Sequence, residues 1–254
     1  MTISRSKLPG GGKGVKLKLA AGSLQTKSST TDKRSRKTSF VYQDMKRQIL
    51  TGELTADSPI TEQSLAHDYD CSQSTIREVL LTLQEDGLVV RRGYQGTYVT
   101  ETTNDEAVVM LRLRQNIETA AIDRVLQNLT SPCMIKLRFL SDVYDENRQK
   151  RDTFGLSEAD IEFHLTLLQI ADMPVLEPVL LRTILHLHRF IITRNFGSIV
   201  WTKNPKASHT AILDALEAGD RDLVHSLVME HTTTNTIEIT PEIRKVVLGK
   251  AELA

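Results

Sequence analysis

Val41, Met45 and Ile49 recur every fourth residue, the spacing of one face of a helix, and Gly52 is placed to end it. Beyond a loop containing Pro59, Thr61 can cap a short helix carrying Leu65, Ala66 and Tyr69. Ser72 can cap the next, in which Ile76, Val79, Leu80 and Leu83 share a face, and Gly87 suits the left-handed residue that closes it. Two apolar runs, 88–90 and 97–99, flank RRGYQG, a turn with two glycines, so a small hairpin is predicted. From Thr100 onward the pattern is helical almost throughout. The predicted segments are roughly 104–128, 132–150, 156–171, 174–195, 206–218 and 220–236, with breaks at Pro132, Phe154-Gly155, Pro174, Pro205 and Gly219. Six amphipathic helices in this stretch predict an antiparallel bundle.

Composition sharpens this picture in three ways. Aromatics make up only 5% of the 254 residues, which argues against a β-sandwich and for Leu/Ala-rich helices. No apolar run reaches the roughly 18 residues of a membrane span, and no hydrophobic segment follows the basic start as a signal peptide requires. Cys71 and Cys133 form no CxxC pair and no disulfide framework. A soluble protein of a reducing cytoplasm is therefore expected, with no membrane partner. Zero net charge hides an uneven distribution: residues 1–38 hold ten Lys/Arg against Asp32 alone, a net of +9 that the remainder offsets with −9. Rich in Gly, Ser, Thr and Lys, residues 1–38 are expected to be a disordered basic tail, either an arm for phosphates or a passive leader. The expected division is then 1–38 tail, 39–103 first domain, 104–240 helical domain and 241–254 C-terminal tail.

Helix, helix-turn-helix and hairpin within 60 residues is the layout of a winged helix-turn-helix. In that layout the N-terminal residues of the second helix enter the DNA major groove. Ser72, Gln73, Ser74, Thr75 and Arg77 supply that end here. Arg can reach guanine O6/N7 and Gln adenine N6/N7, while Ser72 and Thr75 suit phosphate oxygens at the helix terminus. The wing residues Arg91, Arg92, Gly93 and Tyr94 can follow the backbone into the minor groove. A helix-turn-helix recruited to hold another protein would show the same pattern.

These residues also carry a resemblance. The run from Met45 to Val99, with ITEQSLA, SQSTIREVL, LQEDGLV and RRGYQGTYV in order, resembles the N-terminal domain of the GntR family. That resemblance implies a dimeric bacterial regulator on a short palindromic operator, with contacts from Ser72, Gln73, Thr75, Arg77, Gly93 and Tyr94. Two features depart from the family. Gln73 stands where the family often has Arg, and Gln63 where it sometimes does, and residues 39–103 carry five Lys/Arg against ten Asp/Glu, an acidic head for a phosphate polyanion. Cys71, just before the reading helix, is either a packing residue or a redox-sensitive thiol.

The second constellation lies in the bundle. Asp160 and His164 are i, i+4 on the stripe that continues to Leu167, Leu168 and Ala171. His209 shares a face with Ile212, Leu213 and Leu216, and His231 extends the stripe of Val224, Leu227 and Val228. Three His and one Asp thus point to a common core from three helices. A carboxylate on an apolar stripe is costly unless paired or metal-bound, and this donor set suits a divalent ion such as Zn, Ni or Mn. Core histidines satisfied by hydrogen bonds would read the same way.

ADIEFHLTLLQIADMPVLEPVL and SHTAILDALEAGDRDLVHSLVMEH resemble the two signatures of the FadR-type C-terminal domain, the FCD subgroup. That resemblance implies an all-helical, antiparallel effector-binding bundle in which Asp160, His164, His209 and His231 hold a divalent metal below an effector cavity. RLRQNIETAA resembles a further family segment through Arg114, Ile117 and Glu118. Arg114 either faces the carboxylate of a small-acid effector or pairs with Glu118 within its own helix. His186 and His188, two residues apart, cannot face the same way; one of them can line the cavity, but neither fits a ligand position, and Arg189, Arg194 and Trp201 are further cavity candidates. Asp172 stands where Asn is common, a change expected to affect capping only.

The expectation is a mostly α protein: a winged helix-turn-helix joined to an effector-binding bundle, a homodimeric, ligand-responsive transcriptional regulator and not an enzyme. Alternatives are a metal-dependent hydrolase or lyase with an accessory DNA domain, or a regulator that senses the metal itself.

Overall fold

The computed structural model describes residues 27–93, 96–194 and 207–237, with side chains between residues 34 and 233 of these. The head comprises α1 (Lys27–Thr51), α2 (Glu62–Asp68), α3 (Gln73–Glu85) and the hairpin β1 (Val89–Arg91) and β2 (Thr97–Val99). The strands pair antiparallel with Val89 opposite Val99 and Arg91 opposite Thr97. The bundle comprises α4 (Asn104–Asn128), α5 (Ser131–Lys150), α6 (Thr153–Ile170), α7 (Glu177–Arg194), α8 (His209–Ala218) and α9 (Arg221–Ile237).

The caps fall where the side-chain chemistry places them. Thr61 and Ser72 accept from Ser64 N and Thr75 N, each at 3.1 Å. Asp70, at φ 46°, makes the tight turn between α2 and α3, and Gly87, at φ 79°, follows the end of α3. Thr103 and Glu106 form a reciprocal capping box at the start of α4, where the head passes into the bundle.

Three boundaries differ from the sequence reading. Residues 27–38, expected to lack structure, are the first turns of α1. The packed face from Val41 to Ile49 nucleates that helix, and extending it adds one hydrogen bond per residue. Arg34 also pairs with Glu78 of α3. Residues 1–26 and the tail 241–254 lie outside the described residues. Gly155 does not break a helix but sits in the first turn of α6. Arg151, left-handed at φ 57°, ends α5, and Asp152 then caps α6 by accepting from Gly155 N at 2.9 Å. A Cβ at Gly155 would lie 2.6 Å from Asp152 Oδ2 and 2.8 Å from Asn147 Oδ1, so close approach explains this glycine. The segment predicted from 174 opens as a 3-10 turn, Pro174–Leu176, before α7 begins.

Head and bundle share one continuous buried cluster, from Met45 and Ile49 of α1 and Ile76, Leu80 and Leu83 of α3 to Leu180 and Ile184 of α7 and Ile212 of α8. Each such aliphatic side chain contributes roughly 1.5–3 kcal/mol on burial. Polar contacts lock the joint. Lys46, buried on α1, meets Glu158 of α6 at 2.7 Å. Arg182 of α7 donates to the carbonyl of Glu85 at 2.5 Å, at the C-terminal end of α3. Among the described residues no helix is long and apolar enough to cross a membrane.

Candidate functional site

At the centre of the bundle Asp160 and His164 project from α6, His209 from the first turn of α8 and His231 from α9. All four are at least 97% buried. Asp160 Oδ1 lies 3.6 Å from His164 Nε2, 3.2 Å from His209 Nε2 and 3.4 Å from His231 Nε2, and the four ligand atoms fall within 4.8 Å of one another. The four residues expected to converge do so.

Proton bookkeeping shows what this arrangement fits. His231 Nδ1 lies 2.9 Å from the Ala207 carbonyl, which only accepts, so Nδ1 carries a proton and Nε2 is the nitrogen turned inward. His164 Nδ1 faces Glu118 Oε2 at 2.9 Å, with the same consequence for its Nε2. Yet these two inward nitrogens are only 3.2 Å apart. Two ring nitrogens and a carboxylate oxygen converging on one point fit a positive charge between them, a metal ion or a shared proton. Asp160 Oδ1 and both ring nitrogens of His209 have no hydrogen-bond partner among the described residues, which a buried polar atom tolerates only at a cost. The donor set of three imidazoles and one carboxylate suits Zn, Ni or Mn.

A supporting shell orients these donors. Arg114 of α4 donates from Nε to Glu118 at 2.6 Å and from Nη2 to Asp160 Oδ2 at 3.1 Å. Of its two sequence readings, the intrahelical pair with Glu118 is therefore the one formed. The guanidinium is 2% exposed and committed to two carboxylates, so it braces Asp160 from behind. Burial works to raise both carboxyl groups, but the Arg114 charge beside them outweighs it. Asp160 is held well below the usual carboxylate range and Glu118 is brought to about 2. Burial pushes His209 down to about 3, leaving a neutral imidazole with a lone pair to give. Its ring stacks on Phe163 at 4.0 Å and meets the Tyr144 edge at 4.4 Å, so packing holds it.

Of the two histidines of α7, His188 is the one that reaches the centre, as a support of Asp160 and not as one of the four converging donors. Its Nε2 lies 3.1 Å from Asp160 Oδ2, and its Nδ1 lies 2.6 Å from Ser157 Oγ. Because the carboxylate only accepts, Nε2 is the protonated nitrogen and Ser157 donates to Nδ1. The signal was its place on the face of Ile184, Ile191 and Ile192, at i−4, i+3 and i+4. A narrow apolar cavity opens beside His164 and Glu118, lined by Ile122, Leu168, Leu180 and Val228.

On the head, Ser72, Gln73 and Arg77 are exposed at the N-terminal end of α3, and Gly93 is exposed on the wing at φ 52°. Tyr94, like the cavity candidate Trp201, lies outside the described residues. Thr75 corrects an expectation. It is 4% exposed and its hydroxyl lies 2.9 Å from Ser72 Oγ, because its position on α3 falls on the face that carries Ile76 and Val79 into the core. Arg77 pairs with Glu62 of α2 in a fork, Nε to Oε1 at 3.2 Å and Nη2 to Oε2 at 2.6 Å. Arg91 of β1 reaches the same Glu62 at 2.7 Å. Cys71 packs against the core and burial pushes its thiol up, away from the depressed value a reactive thiolate needs.

A winged helix-turn-helix head joined to a helical bundle with a buried Asp/His centre is the layout of a DNA-binding regulator. A family model for bacterial regulatory proteins of the gntR family matches residues 37–99, and one for the FCD domain matches residues 109–234. The chain belongs to the GntR family and carries an FCD domain, as a DNA-binding protein of transcription regulation. It is 25% identical over 212 residues to the HTH-type transcriptional repressor RspR of Escherichia coli K12, covering 81% of this chain and 88% of that one. It is 24% identical over 221 residues to the Galactonate operon transcriptional repressor of the same organism, covering 79% and 95%. The solved structure of E. coli McbR/YncC shares the fold, with a TM-score of 0.67 at 20% identity over 80% of this chain and 96% of that one.

Proposed function

We propose that this regulator binds a short palindromic operator as a homodimer, and that its bundle holds a divalent ion on Asp160, His164, His209 and His231. A small organic acid, completing the coordination of that ion, modulates operator binding. The observation that carries the reading is the convergence of three imidazole nitrogens on Asp160 Oδ1, with His231 held from behind by the Ala207 carbonyl, His164 by the Glu118 carboxylate 2.9 Å away and His209 by aromatic packing.

Charge supports the choice of ligand. Arg114, Glu118 and Asp160 sum to −1 in a buried space. A divalent ion makes that +1, and one effector carboxylate returns it to zero. Ion and monoanion therefore favour each other, since a balanced cluster carries the smaller desolvation penalty. A repressor of a galactonate operon among the relatives is consistent with an acid as ligand. Because Arg114 is already engaged, the effector meets the ion, and Arg114 keeps Asp160 in place. For the homodimer, Val109 and Leu113 of α4 offer an exposed apolar strip at i, i+4.

Elemental analysis of protein purified without chelators should find close to one metal per chain, and His209→Ala should lower that occupancy. Metal-free protein that cannot be reloaded with Zn, Ni or Mn, yet keeps its operator response, would overturn the site. The narrowness of the apolar cavity favours a second reading, in which the ion itself is the signal. Metal alone would then shift operator affinity with no acid present.

A further inference from the structure

A second cleft lies on the other side of α7, where head and bundle meet. The turn after α1 contributes Gly52 and Thr55, the linker into α4 contributes Glu101 to Thr103, and α7 contributes Arg189, Phe190, Thr193 and Arg194. The cleft is open and holds about 890 Å³. His188 and Arg189 are neighbours in sequence but diverge around α7: His188 turns to Asp160 and Arg189 to this cleft.

Arg189 is the unusual group. It is 7% exposed, and its Nε has no hydrogen-bond partner among the described residues. Burial pulls the guanidinium below its ordinary value, and the Glu101 charge offsets only part of that. Among the described residues, Glu101 acts on Arg189 through its charge and not through a hydrogen bond. Arg194 lies over the Phe190 ring at 4.4 Å, a contact that keeps its charge at the cleft. Two guanidinium groups against one carboxylate leave the cleft net positive. A buried charged donor without a partner is unfavourable unless an anion completes it, and the Nε–Nη edge of Arg matches a two-oxygen anion.

We propose that this cleft is a second ligand site, separate from the metal centre, for a small oxyanion held by Arg189 and Arg194. Thr55 and Thr102, from the head side, stand at the same cleft, so the bound anion would bridge the head and the bundle.

Calorimetric titration of the full-length protein with inorganic phosphate, and separately with succinate, at matched ionic strength tests the proposal. At least one should bind saturably, one per chain, and the one that binds identifies the oxyanion as phosphate or carboxylate. Arg189→Gln and Arg194→Gln should each weaken it at least tenfold, and Arg189→Lys, which keeps the charge but loses the fork, should weaken it too. If Arg189→Gln fails to fold, exposed Arg194→Gln carries the test. Protein stripped of metal and dialysed free of chelator should bind the anion unchanged. The proposal is overturned if neither anion saturates, if Arg194→Gln binds like wild type, or if stripping the metal abolishes binding, which would move the anion to the Asp160 centre.

Discussion

Glu62 holds two arginines from different elements, Arg77 of the reading helix and Arg91 of the wing, in one bidentate cluster. The Arg77 bond keeps the Glu62 carboxyl below its usual range, so it stays charged near the surface assigned to DNA. Arg77→Ala is expected to cost about 1–3 kcal/mol per half-site if the contact reads a base. Unchanged affinity on a selected operator would contradict that role. Glu62→Gln should have a different signature. Losing a negative charge near DNA phosphates should tighten non-specific binding, while loosening Arg77 should weaken discrimination. The ratio of operator to random-DNA dissociation constants should therefore fall, and an unchanged ratio would make Glu62 a bystander.

At the scale of elements, α7 is the rod between the two chemistries. Near its middle His188 touches Asp160, and about two turns earlier Arg182 caps the C-terminal end of α3. His186, between them, lies 3.0 Å from Thr102 Oγ1, and a Cβ on Gly87 would come within 2.9 Å of both Arg182 and His186. A small shift of α7 on ligand binding thus bears directly on the reading helix, the kind of differential contact that coupling between sites requires. Arg182→Ala should leave metal content unchanged while bringing the operator affinities of metal-loaded and metal-free protein closer together. Gel-shift titrations of both forms would measure this. An undiminished difference would place the coupling elsewhere.

For the whole molecule, charge is divided between a basic N-terminal region and an acidic remainder. Residues 1–26 carry five Lys/Arg and no Asp or Glu, while residues 27–38 belong to α1. Deleting residues 1–26 leaves that helix whole. It should weaken non-specific DNA binding and flatten the slope of log affinity against log salt, because fewer counterions are released. Operator preference should persist, since Ser72, Gln73 and Arg77 remain. An identical salt slope in the truncated protein would make this region a passive leader.

Element types, most of their limits and the four inward donors were legible in the chain, because they depend on local spacing. Val41, Met45 and Ile49 mark α1, Thr61 and Ser72 cap their helices, and Asp160, His164, His209 and His231 ride on apolar stripes that must face a core. Where a local feature had two physical causes, spacing was not enough. Gly155 suited a break or a close approach, and the Asp152 and Asn147 side chains packed beside it decide for the second. Thr75 suited phosphate contact, but the orientation of α3 on α1 turns it inward. Periodicity can place a residue such as His188 on an inward face, but it does not name the partner on a distant segment. Glu62 with Arg91, Arg182 with Glu85 and His188 with Asp160 are each set by how whole helices pack. Spacing along one chain determines which face a residue occupies. Only the crossing of that face with another element decides which charge it meets.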